Sequence, residues 1–326
     1  MNLKDGDLLR CMWGRQSVER AAEMRRLLAE GANPNGHTPN GMSFLAIAAK
    51  KADVDAVRAL LDAGASVAPD PLSHNSIVAL AATGLDSARQ EPVIDDRRDA
   101  ERIQIVAMLV GAGANIEEPS ATGMTALAKT IEYSDDVALA LIEMGADIFA
   151  KNDMGQTMVS LAMLRGSPAM AKVLIERGVD VNEPSKYFET PLMEMVDLGS
   201  AIAMEELISW GANVDAPAKS RGMTPLHLAV HKGMPKKAAV LLAAGANPNL
   251  HGVDGDTPLI LAAKGRSPEM ISMLLAAGAD ALATNESGLQ AKDYCSPGSA
   301  SWALLEELAL DVVASKPESS RGAPRI

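Results

Sequence analysis

Pairs of adjacent aliphatic residues recur along the chain. The two residues of each pair lie four and three positions before a glycine. The glycines are Gly31, Gly64, Gly113, Gly145, Gly178, Gly211, Gly245 and Gly278, at intervals of 33, 49, 32, 33, 33, 34 and 33 residues. A second series runs in phase, with a hydroxyl residue just before an apolar stretch at Ser43, Ser76, Thr125, Thr157, Thr190, Thr224 and Thr257. Two series with one common period indicate internal repeats, each built on one supersecondary unit.

The unit that begins at Thr224 shows how one repeat folds. Thr224 is placed to cap a helix, and Pro225 suits the first helical position, so a short helix is predicted to about Gly233. A second helix is predicted from about Pro235 to Gly245, where the glycine ends it in the left-handed conformation. Two such short helices cannot bury their apolar faces alone, so neighbouring units must stack on one another.

This unit, TPLHLAVHKGMPKKAAVLLAAGANPN over 224–249, resembles an ankyrin repeat, and GDTPLILAAKGRSPEMISMLLAAGAD over 255–280 is similar to it. The pattern T-P-L-H-x-A of that family is matched at Thr224, Pro225, Leu226, His227 and Ala229. The repeats that start at Thr125 and Thr157 follow the pattern less closely. The resemblance implies an all-α ankyrin-repeat solenoid of stacked helix-turn-helix units with short β-hairpin fingers.

The repeat phase predicts a single solenoid over residues 1–315 and a disordered tail over 316–326. The predicted units are 8–35, 36–68, 69–118, 119–151, 152–184, 185–217, 218–250 and 251–283, followed by a cap at 284–315. The third unit carries an insertion at 82–101, between its two helices. Two interpretations of it stay open: a solvated loop before a longer second helix that begins near Asp95, or a protrusion that contacts a partner.

Composition narrows the class of protein. Aromatic residues make up only 3% of the 326 residues, which suits thin helical layers built from Ala and Leu. The net charge of −12 argues against a nucleic-acid binder and fits a basic partner. Neither a signal peptide nor an apolar run long enough for a membrane helix is visible, so we expect a cytoplasmic protein without a membrane partner.

No arrangement of residues predicts catalysis. His227 and His231 share a helix face, but two ligands without a third do not make a zinc site, and the resemblance instead implies a structural role for His227 between repeats. Cys11 and Cys295 are too far apart in sequence for a CxxC motif, and no phosphate loop or acid–base pair is present. We therefore expect no metal, no cofactor, no small-molecule substrate and no enzymatic activity.

One repeat differs sharply in charge from the one before it. Residues 218–250 contain no acidic residue, whereas 185–217 are strongly acidic. The basic residues are Lys219, Arg221, Lys232, Lys236 and Lys237. They form either ion pairs between repeats or an anchor for an acidic partner segment. We expect the first three to face the concave side of the solenoid and the last two to point elsewhere.

The resemblance implies a non-catalytic module that binds a partner protein, as yet unidentified, through a concave face made of fingers and inner helices. The residues expected on that face are Tyr133, Met154, Lys186, Tyr187, Asp197, Arg221, Met223, His231, Lys232 and Asp254. Alternatives are an inhibitor or immunity-type neutraliser of a basic protein, and an effector delivered into another cell by a dedicated secretion system. An enzyme with an unrecognised site is a further alternative that no residue set supports.

Overall fold

The computed structural model describes residues 3–13, 18–69, 76–84, 98–120, 122–152, 154–185, 190–218 and 222–306. The chain divides into two compact units, Met1–Val179 and Asp180–Ile326. The predicted disordered tail at 316–326 and the central part of the insertion, 85–97, lie outside the described residues.

Both units are built from pairs of short helices, as predicted. The helices of the first unit are α1 (Leu3–Trp13), α2 (Val18–Ala29), α3 (Phe44–Lys50), α4 (Val54–Asp62), α5 (Ile77–Thr83), α6 (Asp99–Gly111), α7 (Ala126–Thr130), α8 (Asp135–Glu143), α9 (Met158–Leu164) and α10 (Pro168–Glu176). Those of the second are α11 (Pro191–Asp197), α12 (Ala201–Ser209), α13 (Pro225–His231), α14 (Pro235–Ala243), α15 (Pro258–Lys264) and α16 (Pro268–Ala276). The second unit also has 3₁₀ turns at Val253–Gly255 and Ala291–Tyr294, and helical residues at 300–306.

The hydroxyl series marks the start of the first helix in each repeat. Each of the seven residues is an N-cap whose side chain accepts a hydrogen bond from the backbone N–H three residues on. All eight glycines of the other series have positive φ, between 81° and 100°, which a residue with a side chain resists. Both predictions are confirmed, because a cap and a left-handed turn are local features of the sequence.

The two helices of a repeat bury different amounts of surface. All seven residues of α5 are buried, whereas α14 buries only Ala238 and Leu241. The first helices pack between their neighbours, α5 between α3 and α7 in the first unit and α13 between α11 and α15 in the second. They therefore need apolar side chains on nearly every side, and small ones where backbones approach closely. The second helices need only one apolar stripe.

The predicted hairpin fingers are present, and three of them contain a short antiparallel bridge. Antiparallel bridges pair His37 with Ser43, Lys151 with Thr157 and Thr284 with Gln290. The repeat with the insertion has a long second helix, α6, as the solvated-loop interpretation predicted. This helix begins at Asp99 rather than near Asp95.

A ladder of polar side chains joins the turns of successive repeats in the second unit. The Asn213 side-chain oxygen accepts from the N–H of Asp215, and the Asp215 carboxylate accepts from the N–H of Asn247 in the next repeat, at 3.0 Å each. Asn249 continues the series, since its oxygen accepts from Asp280 N–H at 2.7 Å and its amide donates to Gly278 O at 3.0 Å. The ladder satisfies backbone groups at helix ends and fixes the offset between repeats.

His227 ties its own helix cap to the following repeat. Its Nδ1 accepts from Thr224 N–H at 3.2 Å, and its Nε2 lies 3.1 Å from the Asp256 carbonyl, to which it donates. The Asp256 carboxylate, itself buried, accepts from Lys264 and from Asn285 of the C-terminal cap. These contacts confirm the structural role that the resemblance implied for His227.

Burial lowers the pKa of His227 below its ordinary value of 6.5, although the Asp256 carbonyl opposes the shift. A proton on Nδ1 would also face the Thr224 N–H, so the folded protein favours the neutral ring.

In the first unit a buried ion pair joins two successive repeats. Arg20 of α2 pairs with Asp53, and both side chains are almost fully buried. Asp53 also caps α4, where its carboxylate accepts from Ala56 N–H at 3.1 Å. One carboxylate thus starts a helix and joins two repeats at the same time.

We expect the exchange of Asn249 for Ala to lower the free energy of unfolding by about 1 kcal/mol, because two backbone groups lose their partners. Asn249→Asp keeps the acceptor oxygen but loses the donor to Gly278, so its loss should be smaller. Urea unfolding followed by circular dichroism measures both variants. An alanine variant as stable as the parent would contradict a stabilising role for the ladder.

Lowering the pH should weaken the fold through His227. Because its pKa is lowered in the folded state, the unfolded chain takes up the proton first as the pH falls below about 6.5. The contribution of His227 to the free energy of unfolding is therefore complete above about pH 6.5. Between pH 6.5 and 5.5 it falls by at most about 1.4 kcal/mol. Urea midpoints at pH 7.5 and 5.5 should show this loss in the parent.

His227→Gln should be less stable than the parent at pH 7.5 but should lose less on acidification. The exposed His231 provides the matched control, since His231→Gln should keep the parental pH dependence. An equal acid loss in the parent and the His227 variant would show that another group causes it.

Candidate functional site

The finger between α8 and α9 presents large apolar side chains to solvent. Its turn is closed by hydrogen bonds from Asn152 N–H to Gln156 O at 3.1 Å and from Gly155 N–H to Asn152 O at 2.8 Å. Met154, predicted on the binding face, lies in this turn and is 51% exposed. Phe149, in the connection that leads into the finger, is 61% exposed.

Phe149 replaces a hydrogen-bonding residue of the repeat. Five of the seven other repeats carry a polar residue four positions after the left-handed glycine, whereas the remaining two have Ala68 and Leu282. The side chain of the polar residue accepts a backbone N–H of the following repeat, as Asn35, Glu117, Asn182, Asp215 and Asn249 do. A phenyl ring cannot accept this bond. Phe149 was not among the residues expected on the binding face, although the repeat phase places this aromatic residue at a mostly polar position.

The described finger residues of the second unit are held by their backbones. Met223 is half-buried, and its carbonyl accepts from Ala218 N–H at 2.8 Å. Asp254 is exposed and has a φ of 57°, and its carbonyl accepts from Glu286 N–H at 3.0 Å. The predicted site residues Lys186, Tyr187 and Arg221 lie outside the described residues, as does Lys219.

The basic and acidic repeats meet at the ends of α11 and α13. Lys232 forms an ion pair with Asp197, and the exposed His231 is its neighbour in sequence. Of the two interpretations of the basic repeat, ion pairing between repeats is thus realised at Lys232.

Lys237, expected to point away from the concave side, is bonded within the fold. Its Nζ donates to the carbonyls of Met195 and Val196, at 3.1 and 2.6 Å. These carbonyls belong to the last turn of α11, where a cation also interacts favourably with the negative end of the helix dipole. Burial lowers the pKa of Lys237, and the nearby Asp197 carboxylate opposes that shift. The direction of a lysine at a helix start depends on the neighbouring repeat, which the local pattern does not specify.

Tyr133 lies in the turn between α7 and α8 of the first unit. It is half-buried, and burial together with the adjacent Glu132 raises the pKa of its phenol. Of the described site residues, the structure places Tyr133 and Met154 in the first unit and the others in the second. It brings Asp197 and Lys232 into direct contact.

The two histidines of α13 have different surroundings, with both ring nitrogens of His227 occupied within the fold and His231 exposed. Across the described ranges, no group of three or more His, Cys, Asp or Glu is arranged to hold a metal ion. No helix in the same ranges has the length and apolar character needed to cross a membrane.

Comparisons with known proteins agree with this architecture. Family models described as ankyrin repeats match residues 98–185, 221–252 and 241–295. A comparison with curated protein sequences finds no match.

Solved structures similar to the chain include two ankyrin repeat domains. That of Bcl-3, described as a unique member of the IkappaB family, has 26% identity and a TM-score of 0.60, over 72% of this chain and 99% of the other. That of human ASB11 has 27% identity and a TM-score of 0.51, over 67% of this chain and 95% of the other. Because the chain folds into stacked helix pairs with hairpin fingers and matches three ankyrin-repeat family models, it belongs to the ankyrin repeat family.

Proposed function

We propose that this chain is a non-catalytic module that binds a partner protein through its fingers and the ends of its first helices. Ankyrin repeats are generally protein-interaction modules. The observation that carries the proposal is the exposure of Phe149 and Met154 beside one finger, 61% and 51%. Aromatic residues and methionine are enriched where protein interfaces are buried.

Phe149 is informative because it stands where a polar residue would stabilise the repeat. An exposed ring gains little within the fold, and the ladder position loses a hydrogen-bond acceptor there. A binding role accounts for both features, since a rigid aromatic side chain buries a large area on contact at a small entropic cost.

The proposed footprint extends beyond this finger. It includes Tyr133 in the first unit and a further set in the second, Lys186, Tyr187, Asp197, Arg221, Met223, His231, Lys232 and Asp254. Lys232 is already paired with Asp197, so its charge contributes less to attracting an acidic partner than the sequence suggested.

The repeats present this surface on short helices with capped ends. Little main-chain ordering is then needed on binding, which leaves more of the contact energy for affinity. No cofactor, small-molecule substrate or nucleic acid is part of the proposal, and the cytoplasm is the proposed compartment.

The net charge of −12 favours a basic protein as the partner, and neutralisation of such a protein is the second candidate function. Electrostatic attraction would speed association and would weaken steeply as salt is added.

We expect Phe149→Asn combined with Met154→Gln to weaken partner binding by about 30-fold, the effect of losing about 2 kcal/mol at an interface centre. The asparagine restores the polar residue of the other repeats, so the variant should remain folded. Parent and variant, each full length, serve as baits in the native lysate, and titration with the captured protein gives the affinity.

Ile202→Gln is the matched control, because Ile202 is 69% exposed but lies on α12, a second helix. It should retain the partner. A partner held equally by the parent and the finger variant, or lost only by the Ile202 variant, would contradict the proposed surface.

A further inference from the structure

The exposed side chains of Phe149 and Met154 lie at the end of a strongly acidic stretch of the first unit. Residues 103–150 contain seven acidic residues and a single basic one, Lys129, so their net charge is −6, half that of the whole chain. Lys129 itself is half-buried. The apolar surface of the finger is therefore set in a part of the chain that has little positive charge to balance its carboxylates.

Two of these carboxylates are held beside the main chain of Phe149. Glu117 accepts a hydrogen bond from the N–H of Asp147 at 2.8 Å, and Asp147 accepts one from the N–H of Phe149, also at 2.8 Å. Both donors are neutral, so these bonds orient the carboxylates without compensating their charge. Among the described residues, neither carboxylate forms an ion pair. Asp147 is exposed and Glu117 is half-buried.

The helices that lead to these carboxylates do not oppose a cation. Glu117 follows the C-terminal end of α6, and Asp147 follows that of α8, each beyond a left-handed glycine. The C-terminal end of a helix carries the negative end of its dipole, so a cation is favoured there.

The apolar side chains point to a ligand independently of the charge. Phe149 is 61% exposed and Met154 is 51% exposed. An aromatic ring and a flexible thioether bury a large area when an apolar side chain packs against them. The residues that flank such a side chain in a partner then come close to Asp147 and Glu117. Basic flanking residues gain charge pairs there, whereas acidic ones are repelled.

We propose that the partner segment bound at this finger carries an apolar side chain flanked by arginine or lysine. The apolar side chain packs on Phe149 and Met154, and the flanking cations pair with Glu117 and Asp147. The inference rests on the proposed protein-binding function and names the chemistry of the partner. A second copy of this chain is disfavoured as the occupant, because its net charge is also −12.

The test uses the full chain, ¹⁵N-labelled, at low ionic strength. The probe is acetyl-Arg-Gly-Leu-Gly-Arg-amide, and its control is the same peptide with citrulline, which is neutral but nearly isosteric, in place of both arginines. We expect the arginine peptide to shift the amide signals of Asp147, Phe149 and Gly155 with a weak affinity, on the order of millimolar. The citrulline peptide should bind about fivefold more weakly, and added salt should weaken only the arginine peptide.

Glu117→Gln combined with Asp147→Asn should weaken the arginine peptide by about fivefold, the effect of removing two exposed charge pairs. Each new amide keeps an oxygen that can accept the backbone N–H, so the turn should be retained. Asp215→Asn with Asp280→Asn is the matched control, because these carboxylates accept backbone N–H groups at the same two repeat positions in the second unit, at 3.0 and 2.9 Å. The control removes the same charge and should leave the peptide affinity unaltered.

Equal affinities for the two peptides, equal losses in the two pairs of variants, or no shift with the arginine peptide would overturn the inference. The captured partner separates this outcome from a failure of the finger surface. A partner lost with Phe149→Asn and Met154→Gln but held fully by the Glu117 and Asp147 variant overturns the basic flank and leaves the finger surface standing. A partner held equally by the parent and both variants contradicts the proposed function itself.

Discussion

Each repeat buries the faces of its helices only against the neighbouring repeats of its unit, so the offset between repeats has to be fixed by direct bonds. Side-chain hydrogen bonds to the main chain at the turns supply them. In the second unit Asn182, Asp215 and Asn249 link one turn to the next, and they also satisfy backbone N–H groups beyond the helix ends. Because these bonds repeat with the sequence period, the apolar stripes meet in the same register throughout each unit.

Buried polar groups strengthen this arrangement at particular places. His227 and Asp256 bind the last repeats of the second unit to its cap, and Arg20 and Asp53 join α2 to α4 in the first. Each of these groups is desolvated and therefore depends on its partner. The ring of His227 packs closely against Gly252. A Cβ at this position would come within 2.8 Å of the ring, so a glycine is needed there. A local sequence choice thus makes room for a contact between repeats.

The same constraint determines which surfaces are available for binding. First helices are almost entirely buried, and the ladder occupies the turns, so the fingers, the ends of the helices and the outer faces of the second helices remain. Phe149 and Met154 occupy a finger region of the first unit, and Tyr133 and Asp136 line a depression where its second helices begin. At the corresponding helix ends of the second unit, Lys232 and Lys237 bind Asp197 and the last carbonyls of α11. Two of the five cations of the basic repeat are thereby used within the fold.

The sequence by itself determined the family, the helix pairs, the seven hydroxyl caps and the eight left-handed glycines. These features depend on interactions within a few residues, and the period of about 33 residues repeats them often enough to be unmistakable. The role of His227 followed from the resemblance. Only the tertiary structure decided where the long side chains point: Lys237 reaches back to α11, Tyr133 borders a pocket with Asp99 of the preceding repeat, and Phe149 is exposed. Residues about 30 or more positions apart meet in these contacts, and the local pattern carries no information about the rotamer that each side chain adopts when they meet.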